Sequence, residues 1–371
     1  MGWADEQTAP GSDEPERLVV WQLLRQVRSC LAMGSPLGAA VLTAAATDVL
    51  EGGPCAQLLV PHARPGRGDA AALRFLAALH RLALQRRAPG LALHLPTAGG
   101  TVDLAGVGRA VVETVAAHAD DLPALVALPC QTNEVGRSAA LLVGHLHVAA
   151  LTGLPLRLRE VGASGGLGLL VDRYEVTVPT ADGDTRRLGP ADAEVVLDEL
   201  VTTPLPGDPT AMPDVADRRG CDLRPVDVTT PEGRLRLSAS VWPDMVERFE
   251  RLGGALRTAA TDPPVVDEAS AAGWVTEQLA EPVPGLATVV FHSVVEEYLP
   301  DDERAALHAA VEAAGARATP DAPVAHLRME PATDVRAAVV DVRVWPHAPE
   351  RVRLATCGAH GTDTAVVPGA R

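Results

Sequence analysis

The chain has 371 residues, of which 47% are hydrophobic and 22% charged, which supports a large buried core and excludes extended disorder. A formal net charge of −16 disfavours nucleic-acid binding, which depends on clustered Lys and Arg side chains that neutralise phosphates. No apolar run reaches the roughly 18 residues that a membrane span needs, and the polar, acidic N-terminus is unlike a signal peptide. We therefore expect a cytoplasmic protein without nucleic-acid or membrane partners.

Residues 1–152 have the periodicity of helices. From Arg17 onward, apolar residues recur at three- and four-residue spacing, which places them on one helix face. Ser35 and Pro36 are typical of an N-cap and a first helical residue, and they predict a helix that runs to Glu51. Further helices are expected over residues 105–119 and 133–152. This pattern predicts an all-helical N-terminal domain over residues 1–152.

From residue 153 onward, strand and helix patterns alternate. The predicted elements are strands over Leu154–Val161, Val215–Gly220, Leu235–Val241, Ala287–His292 and Val324–Met329, and helices over Met245–Ala260 and Asp301–Ala314. Two last strands, Ala337–Val344 and Arg351–Cys357, are expected to be antiparallel neighbours. Such alternation predicts an α/β domain over residues 153–371, with a Rossmann-like, mostly parallel sheet. A hairpin insertion is predicted near residues 173–188.

The cysteines and histidines do not predict a metal site. The five cysteines are widely scattered, without a CxxC pair or the Cys/His spacing of a zinc site. His145 and His147 stand two residues apart on a predicted helix, so their side chains face different directions. We expect free thiols and no bound metal.

A glycine cluster follows the first predicted strand, from Gly162 to Gly168. A strand that enters a glycine turn and then a helix brings backbone N–H groups close to a ligand. Dinucleotide binding requires the pattern G-x-G-x-x-G, but Ser164 replaces the second glycine and Gly168 falls one position late. The cluster therefore matches a dinucleotide site poorly.

The same cluster also spells the G-x-S-x-G pattern of a nucleophile elbow. In this interpretation Ser164 is the nucleophile of a serine hydrolase, and His292, His326 or His360 supplies the base. An α/β-hydrolase places several strands before its elbow, whereas the residues before this one have a helical pattern. A hydrolase is one alternative function, and a non-catalytic module that binds a nucleoside ligand is another.

A third pattern is the acidic residue followed by glycines at alternate positions, here Glu160, Gly162, Ser164 and Gly166. It resembles the first motif of class I S-adenosylmethionine-dependent methyltransferases, with serine at the middle glycine. Four further segments of the chain accompany the glycine motif: Gln131–Arg137, Gly220–Leu223, Val241–Asp244 and Val290–Val294. In these segments and the motif the chain more closely resembles bacterial domain-of-unknown-function family 2332, and the resemblance implies the same fold. The resemblance implies a methyltransferase with S-adenosylmethionine as cofactor and a small molecule as substrate.

The resemblance also implies a cofactor site. The motif that begins at Glu160 approaches the methionine part of the cofactor through Gly162, Ala163, Ser164 and Gly166. Asp222, with Leu223 beside it, would end the second strand and accept hydrogen bonds from the ribose hydroxyls. Asp244 would lie near the adenine edge, and His292 and Ser293 would close the site.

The candidate catalytic residues are Asn133, Glu134, Arg137 and His292. Asn133 and Glu134 suit the start of a helix as a cap and a first-turn carboxylate, but with Arg137 they could also form one wall of a substrate pocket. His292 ends an apolar strand, where it could act as a general base or be a core histidine with its bonds satisfied.

Overall fold

A computed structural model describes residues 14–62, 64, 70–332, 335 and 337–368. The chain forms two compact units. Within the described residues, the helical unit comprises residues 14–132 and 230–250, and the sheet unit comprises residues 133–229 and 251–368. The division differs from the predicted boundary at residue 152, because the helix over Arg137–Thr152 contacts the strands of the sheet.

The described residues form twelve α-helices and eleven β-strands. The helices are α1 (Pro15–Ala32), α2 (Pro36–Leu50), α3 (Pro54–Leu59), α4 (Ala71–Leu84), α5 (Pro89–Ala92), α6 (Val107–Ala117), α7 (Leu122–Ala127), α8 (Arg137–Thr152), α9 (Pro231–Ser240), α10 (Val246–Thr261), α11 (Ala271–Gln278) and α12 (Asp301–Gly315). The strands are β1 (Leu156–Val161), β2 (Glu175–Pro179), β3 (Thr185–Leu188), β4 (Val196–Leu197), β5 (Val215–Asp222), β6 (Val266–Glu268), β7 (Ala287–Ser293), β8 (Val324–Pro331), β9 (Ala338–Trp345), β10 (Ala348–Cys357) and β11 (Ala365–Val366). No described helix is both long enough and apolar enough to cross a membrane.

The helical unit confirms the predicted start of α2. The Ser35 Oγ accepts a hydrogen bond of 3.2 Å from the backbone N–H of Gly38, and Pro36 is the first helical residue. The unit is built around buried Leu, Val and Ala side chains together with Phe75 and Trp242. Short helices have little stability in isolation. In this unit they stabilise one another because their apolar side chains are buried against each other and removed from water.

The predicted strand over Leu235–Val241 is wrong, because these residues belong mainly to helix α9 of the helical unit. Thr230 caps α9 by accepting a hydrogen bond of 3.0 Å from Gly233, and Pro231 begins it. A helix with a strong start signal needs no strand alternation to form. Asp244 therefore does not follow a strand of the sheet. Its carboxylate accepts hydrogen bonds from Ser35 Oγ (2.6 Å) and the Leu37 N–H (2.9 Å) at the start of α2.

The sheet unit has a mixed α/β architecture with a mostly parallel eight-stranded sheet in the order β11-β10-β9-β8-β7-β1-β5-β6. The five strands from β8 to β6 are parallel, and β9, β10 and β11 continue the sheet in antiparallel pairs. The antiparallel pairing of β9 with β10 confirms the prediction. So does the hairpin of β2 with β3, which forms a small separate sheet with β4.

Helices cover both faces of this sheet. Every residue of β7 before Ser293 is buried, which explains its mostly apolar pattern. Val290 belongs to a core cluster with α11 and α12, whereas the ring of Phe291 on the opposite face meets His145 of α8 at 5.0 Å. Successive residues of one strand thus fix two helical layers.

Candidate functional site

The candidate site lies at the carboxyl ends of β1, β5 and β7. Strand β1 pairs with β5 on one side and with β7 on the other, so Glu160 faces Gly220 and Phe291 in the two registers. The chain builds β5 and β6 on one side of β1 before it returns to build β7 and β8 on the other. Such a reversal opens a crevice outside the carboxyl ends of the two diverging strands, where ligands bind in open α/β sheets.

The turn after β1 has an unusual backbone. Gly162, Ser164 and Gly166 all have positive φ angles, of 69°, 53° and 75°. Gly162 also has no room for a side chain, because a Cβ there would lie 2.5 Å from Cγ2 of Val295. For Ser164 the left-handed conformation costs roughly 1 kcal/mol or more. The turn leads into a 3₁₀ segment, Leu167–Arg173.

The backbone donors of this turn are held by the protein itself. The Ser164 N–H donates to Oδ2 of Asp222 at 2.9 Å, and the N–H groups of Gly165 and Leu167 both donate to Oδ1 of Asn133 at 3.1 Å. The N–H groups of Ala163 and Gly166 donate to backbone carbonyls. The structure thus unites three predicted site elements: Asn133, the glycine turn and Asp222.

Asp222 is the last residue of β5 and is half-buried. Its Oδ1 accepts a hydrogen bond of 2.8 Å from the Arg224 N–H, while Oδ2 accepts the one from Ser164. A carboxylate has about four acceptor positions, so two remain for the hydroxyl groups of a ligand. Leu223, beside it, is exposed.

Glu160 is buried directly before the turn, with 5% of its surface exposed. Its Oε2 has no hydrogen-bond partner among the described residues. Burial raises the pKa of Glu160 to about 8, and the Asp222 carboxylate adds to the shift while Arg137 opposes it. The side chain is therefore largely protonated at neutral pH, a state in which it carries no unpaired charge.

The segment before α8 forms another side of the site. Helix α8 begins at Arg137, so Asn133 does not cap it; the amide of Asn133 holds the glycine turn instead. Oε1 of Glu134 accepts a 3.1 Å hydrogen bond from the Gly136 N–H. The Arg137 guanidinium donates to the Ser293 carbonyl at 3.1 Å, which ties this segment to the end of β7.

His292 is fully buried, and both ring nitrogens have partners. Its Nδ1 lies 2.6 Å from Oε1 of Glu330, and its Nε2 lies 3.1 Å from Nε2 of His326. These contacts are those of a satisfied core histidine. Glu330 was missed by the sequence analysis because the predicted strand ended one residue earlier, at Met329.

The network around His292 extends to the surface through Glu296. Its Oε1 lies 2.7 Å from Nε2 of His308 and accepts a 3.0 Å bond from Arg328. Burial opposes ionisation of Glu296, but the His308 hydrogen bond and the Arg328 charge outweigh it and lower its pKa to about 2. Glu296 is therefore a fixed negative charge rather than a proton donor at neutral pH.

The Ser164 Oγ is buried and has no hydrogen-bond partner within the described part of the chain. A nucleophile elbow places the serine hydroxyl near the imidazole that takes its proton.

The described residues also hold no group of three or more His, Cys, Asp and Glu side chains arranged to bind a metal ion.

The comparisons with known proteins identify a family without an established activity. No curated protein matches the chain. No solved structure matches it. A family model described as "Uncharacterized protein conserved in bacteria (DUF2332)" matches residues 21–365, which include the glycine turn, Asn133, Asp222 and Glu330. The chain therefore belongs to this uncharacterised bacterial family.

Proposed function

We propose that the sheet unit is a Rossmann-like domain that binds S-adenosylmethionine and transfers its methyl group to a small molecule. The strand order supports this proposal. When the strands of the small sheet are left out and the others are numbered along the chain, the order β6-β5-β1-β7-β8 becomes 3-2-1-4-5, which is the order of Rossmann-like folds.

The observation that carries the proposal is the position of Asp222. It ends the strand next to β1, it is bonded to the glycine turn, and it keeps acceptor positions for two hydroxyl groups. A carboxylate at this position can accept both hydroxyls of a ribose, as the acidic residue after the second strand does in nucleotide-binding α/β domains.

The glycine turn favours a nucleoside ligand without phosphate. Phosphate-binding turns present free backbone N–H groups at the start of a helix. Here the N–H groups from Ala163 to Leu167, except that of Gly166, are bonded across to Cys221, Asp222 or Asn133, and that of Gly166 closes the turn itself. S-adenosylmethionine carries no phosphate, so it does not need these donors, whereas a dinucleotide does.

Glu268 replaces Asp244 in the proposed site. It ends β6, the third strand, and lies beside Asp222 in the register of the two strands. Its side chain is exposed at the same edge of the sheet. A carboxylate here is placed to accept a hydrogen bond from an adenine amino group, the role that the resemblance had given to Asp244.

In this proposal the protein contributes binding and orientation. Asp222 fixes the ribose beside the glycine turn, because the same carboxylate accepts the hydrogen bond from the Ser164 N–H. When bound, S-adenosylmethionine supplies an electrophilic methyl group. In-line placement of the methyl acceptor can account for much of the rate acceleration, so methyl transfer does not require a general base. The burial of His292 is therefore compatible with this function.

Calorimetric titration with S-adenosylmethionine and S-adenosylhomocysteine tests the proposal. We expect micromolar binding to the wild type and binding weaker by about tenfold or more in Asp222→Asn, which keeps the size of the side chain but loses the charge and one of the two acceptor oxygens. The matched control is Asp217→Asn, at the opposite end of β5, which should bind both compounds normally. Absence of binding to the wild type would sink the proposal, and a serine-directed probe at Ser164 would then test the hydrolase alternative.

A further inference from the structure

A strained turn follows β7 at the candidate site. Val294 has a φ of 55°, in the left-handed region. For a β-branched residue this conformation is a true outlier, and such residues cost about 1–3 kcal/mol unless the surroundings impose them. The Val294 N–H donates to the Met329 carbonyl at 2.9 Å, which fixes one side of the turn to β8.

A single carboxylate oxygen fixes the other side. Oε1 of Glu330 accepts hydrogen bonds from the backbone N–H groups of Val295 at 3.0 Å and Glu296 at 3.4 Å, and it lies 2.6 Å from Nδ1 of His292. Glu330 is 5% exposed, so these donors replace the water that its charge has lost. The carboxylate links the last part of β7 to the two residues after Val294.

The turn held by Glu330 shapes the candidate site. Val295 occupies the space that a side chain at Gly162 would need, at 2.5 Å from the position of its Cβ. The Ser293 carbonyl, just before the turn, accepts the hydrogen bond from Arg137. The segment from Ser293 to Val295 therefore contacts both the glycine turn and the start of α8.

We propose that Glu330 is a positioning residue for the ligand site: it holds the Val294–Glu296 turn in its strained form, and this turn sets the position of the glycine turn through Val295 and Gly162. The role as a ligand-site residue rests on the proposed function, but the coupling between the two turns does not. His292 serves as one of the donors that hold Glu330 in place.

Two measurements test this proposal. The first is amide hydrogen exchange without ligand, in the wild type, Glu330→Ala and Glu330→Gln. We expect faster exchange in Glu330→Ala both at residues 294–296 and at the glycine turn, residues 163–167, and partial recovery in Glu330→Gln, which keeps an acceptor oxygen. Unchanged protection of residues 163–167 in Glu330→Ala would overturn the coupling.

The second measurement is calorimetric binding of S-adenosylhomocysteine. We expect affinity weaker by about tenfold in Glu330→Ala and by less in Glu330→Gln, because the lost bonds are charge-assisted. The control is Glu175→Ala, which removes an equally buried carboxylate from the small sheet and should lower stability without changing affinity. Equal affinity in Glu330→Ala and the wild type refutes the ligand-site role. If the wild type itself binds nothing, the proposed function fails while the exchange result still decides the coupling.

Discussion

The carboxyl group of Glu160 lies against the backbone of Gly168, where a Cβ would come within 2.5 Å of Oε1. This contact explains a glycine that fits no ligand-binding pattern. Gly168 falls one position late for a dinucleotide site because its role is to leave space for a buried carboxyl group. The two residues therefore form one packing unit behind the glycine turn.

Gly168→Ala tests this packing. We expect it to lower the free energy of unfolding by about 1–3 kcal/mol, because the added methyl group must displace a buried side chain. The control is Gly253→Ala in α10, where the nearest atom to the new Cβ is Arg257 Nη1 at 3.6 Å and Ala favours the helix. Chemical denaturation measures both. Combining Gly168→Ala with Glu160→Ala should cost less than the sum of the two, and strict additivity would contradict the contact.

Glu160 should make stability depend on pH. Its pKa is about 8 in the folded protein and near 4.5 when unfolded, so the folded state binds the proton more tightly. The stability that this group contributes is complete below about pH 4.5 and is lost as the pH rises through about 8. The melting temperature of Glu160→Gln minus that of the wild type should therefore increase from pH 5 to pH 8 and stay constant above pH 8. A gain that is the same at every pH would contradict this.

Ser164→Gly separates the two enzymatic interpretations. Glycine adopts the positive φ of residue 164 without strain, and the serine hydroxyl has no partner among the described residues. We expect the variant to retain stability within about 1 kcal/mol and to keep its affinity for S-adenosylhomocysteine. A hydrolase would lose its activity completely. Loss of nucleoside binding in this variant would count against the proposed site.

His145 is a second pH-sensitive group in the core. It is fully buried, neither ring nitrogen has a partner in the described structure, and burial lowers its pKa to about 3. Because the unfolded chain takes up a proton near pH 6.5, the stability due to neutral His145 is present above that pH and is lost as the pH falls. His145→Leu should raise the melting temperature more at pH 5 than at pH 8. His147→Leu, at a half-buried position on the same helix, should show a smaller difference.

The sequence predicted elements best where one signal dominated. Strands β1, β7 and β8 lie near the centre of the sheet, where most of their residues are buried, and β7 has a largely apolar pattern that marks its position. The alternation over Leu235–Val241 was misleading because Thr230 and Pro231 begin a helix that continues through most of these residues. Strand β6 has three residues, too few for any periodicity.

The sequence indicated which turn and which strand end form the candidate site, but it did not indicate the side-chain contacts that hold them. Asp222 and the glycine turn could be found because a residue type and a strand end coincide there. The amide of Asn133 reaches the turn from a distant part of the sequence, and no local pattern distinguishes that role from a helix cap. The role of Glu330 could not be predicted, because it follows from the strained turn at Val294. Valine does not favour a positive φ, so nothing in the sequence indicates that turn.

The division of the chain has a consequence for how the protein folds as it is made. Residues 230–250, including the core residue Trp242, complete the helical unit, yet β1 and β5 precede them in the sequence. A ribosome must therefore release two parallel strands of the sheet before the helical core has all its parts. Those strands cannot complete their sheet until β7 and β8 have been made, so neither unit can finish folding before synthesis of the other has begun. A nascent chain that stops at residue 152 lacks part of both units.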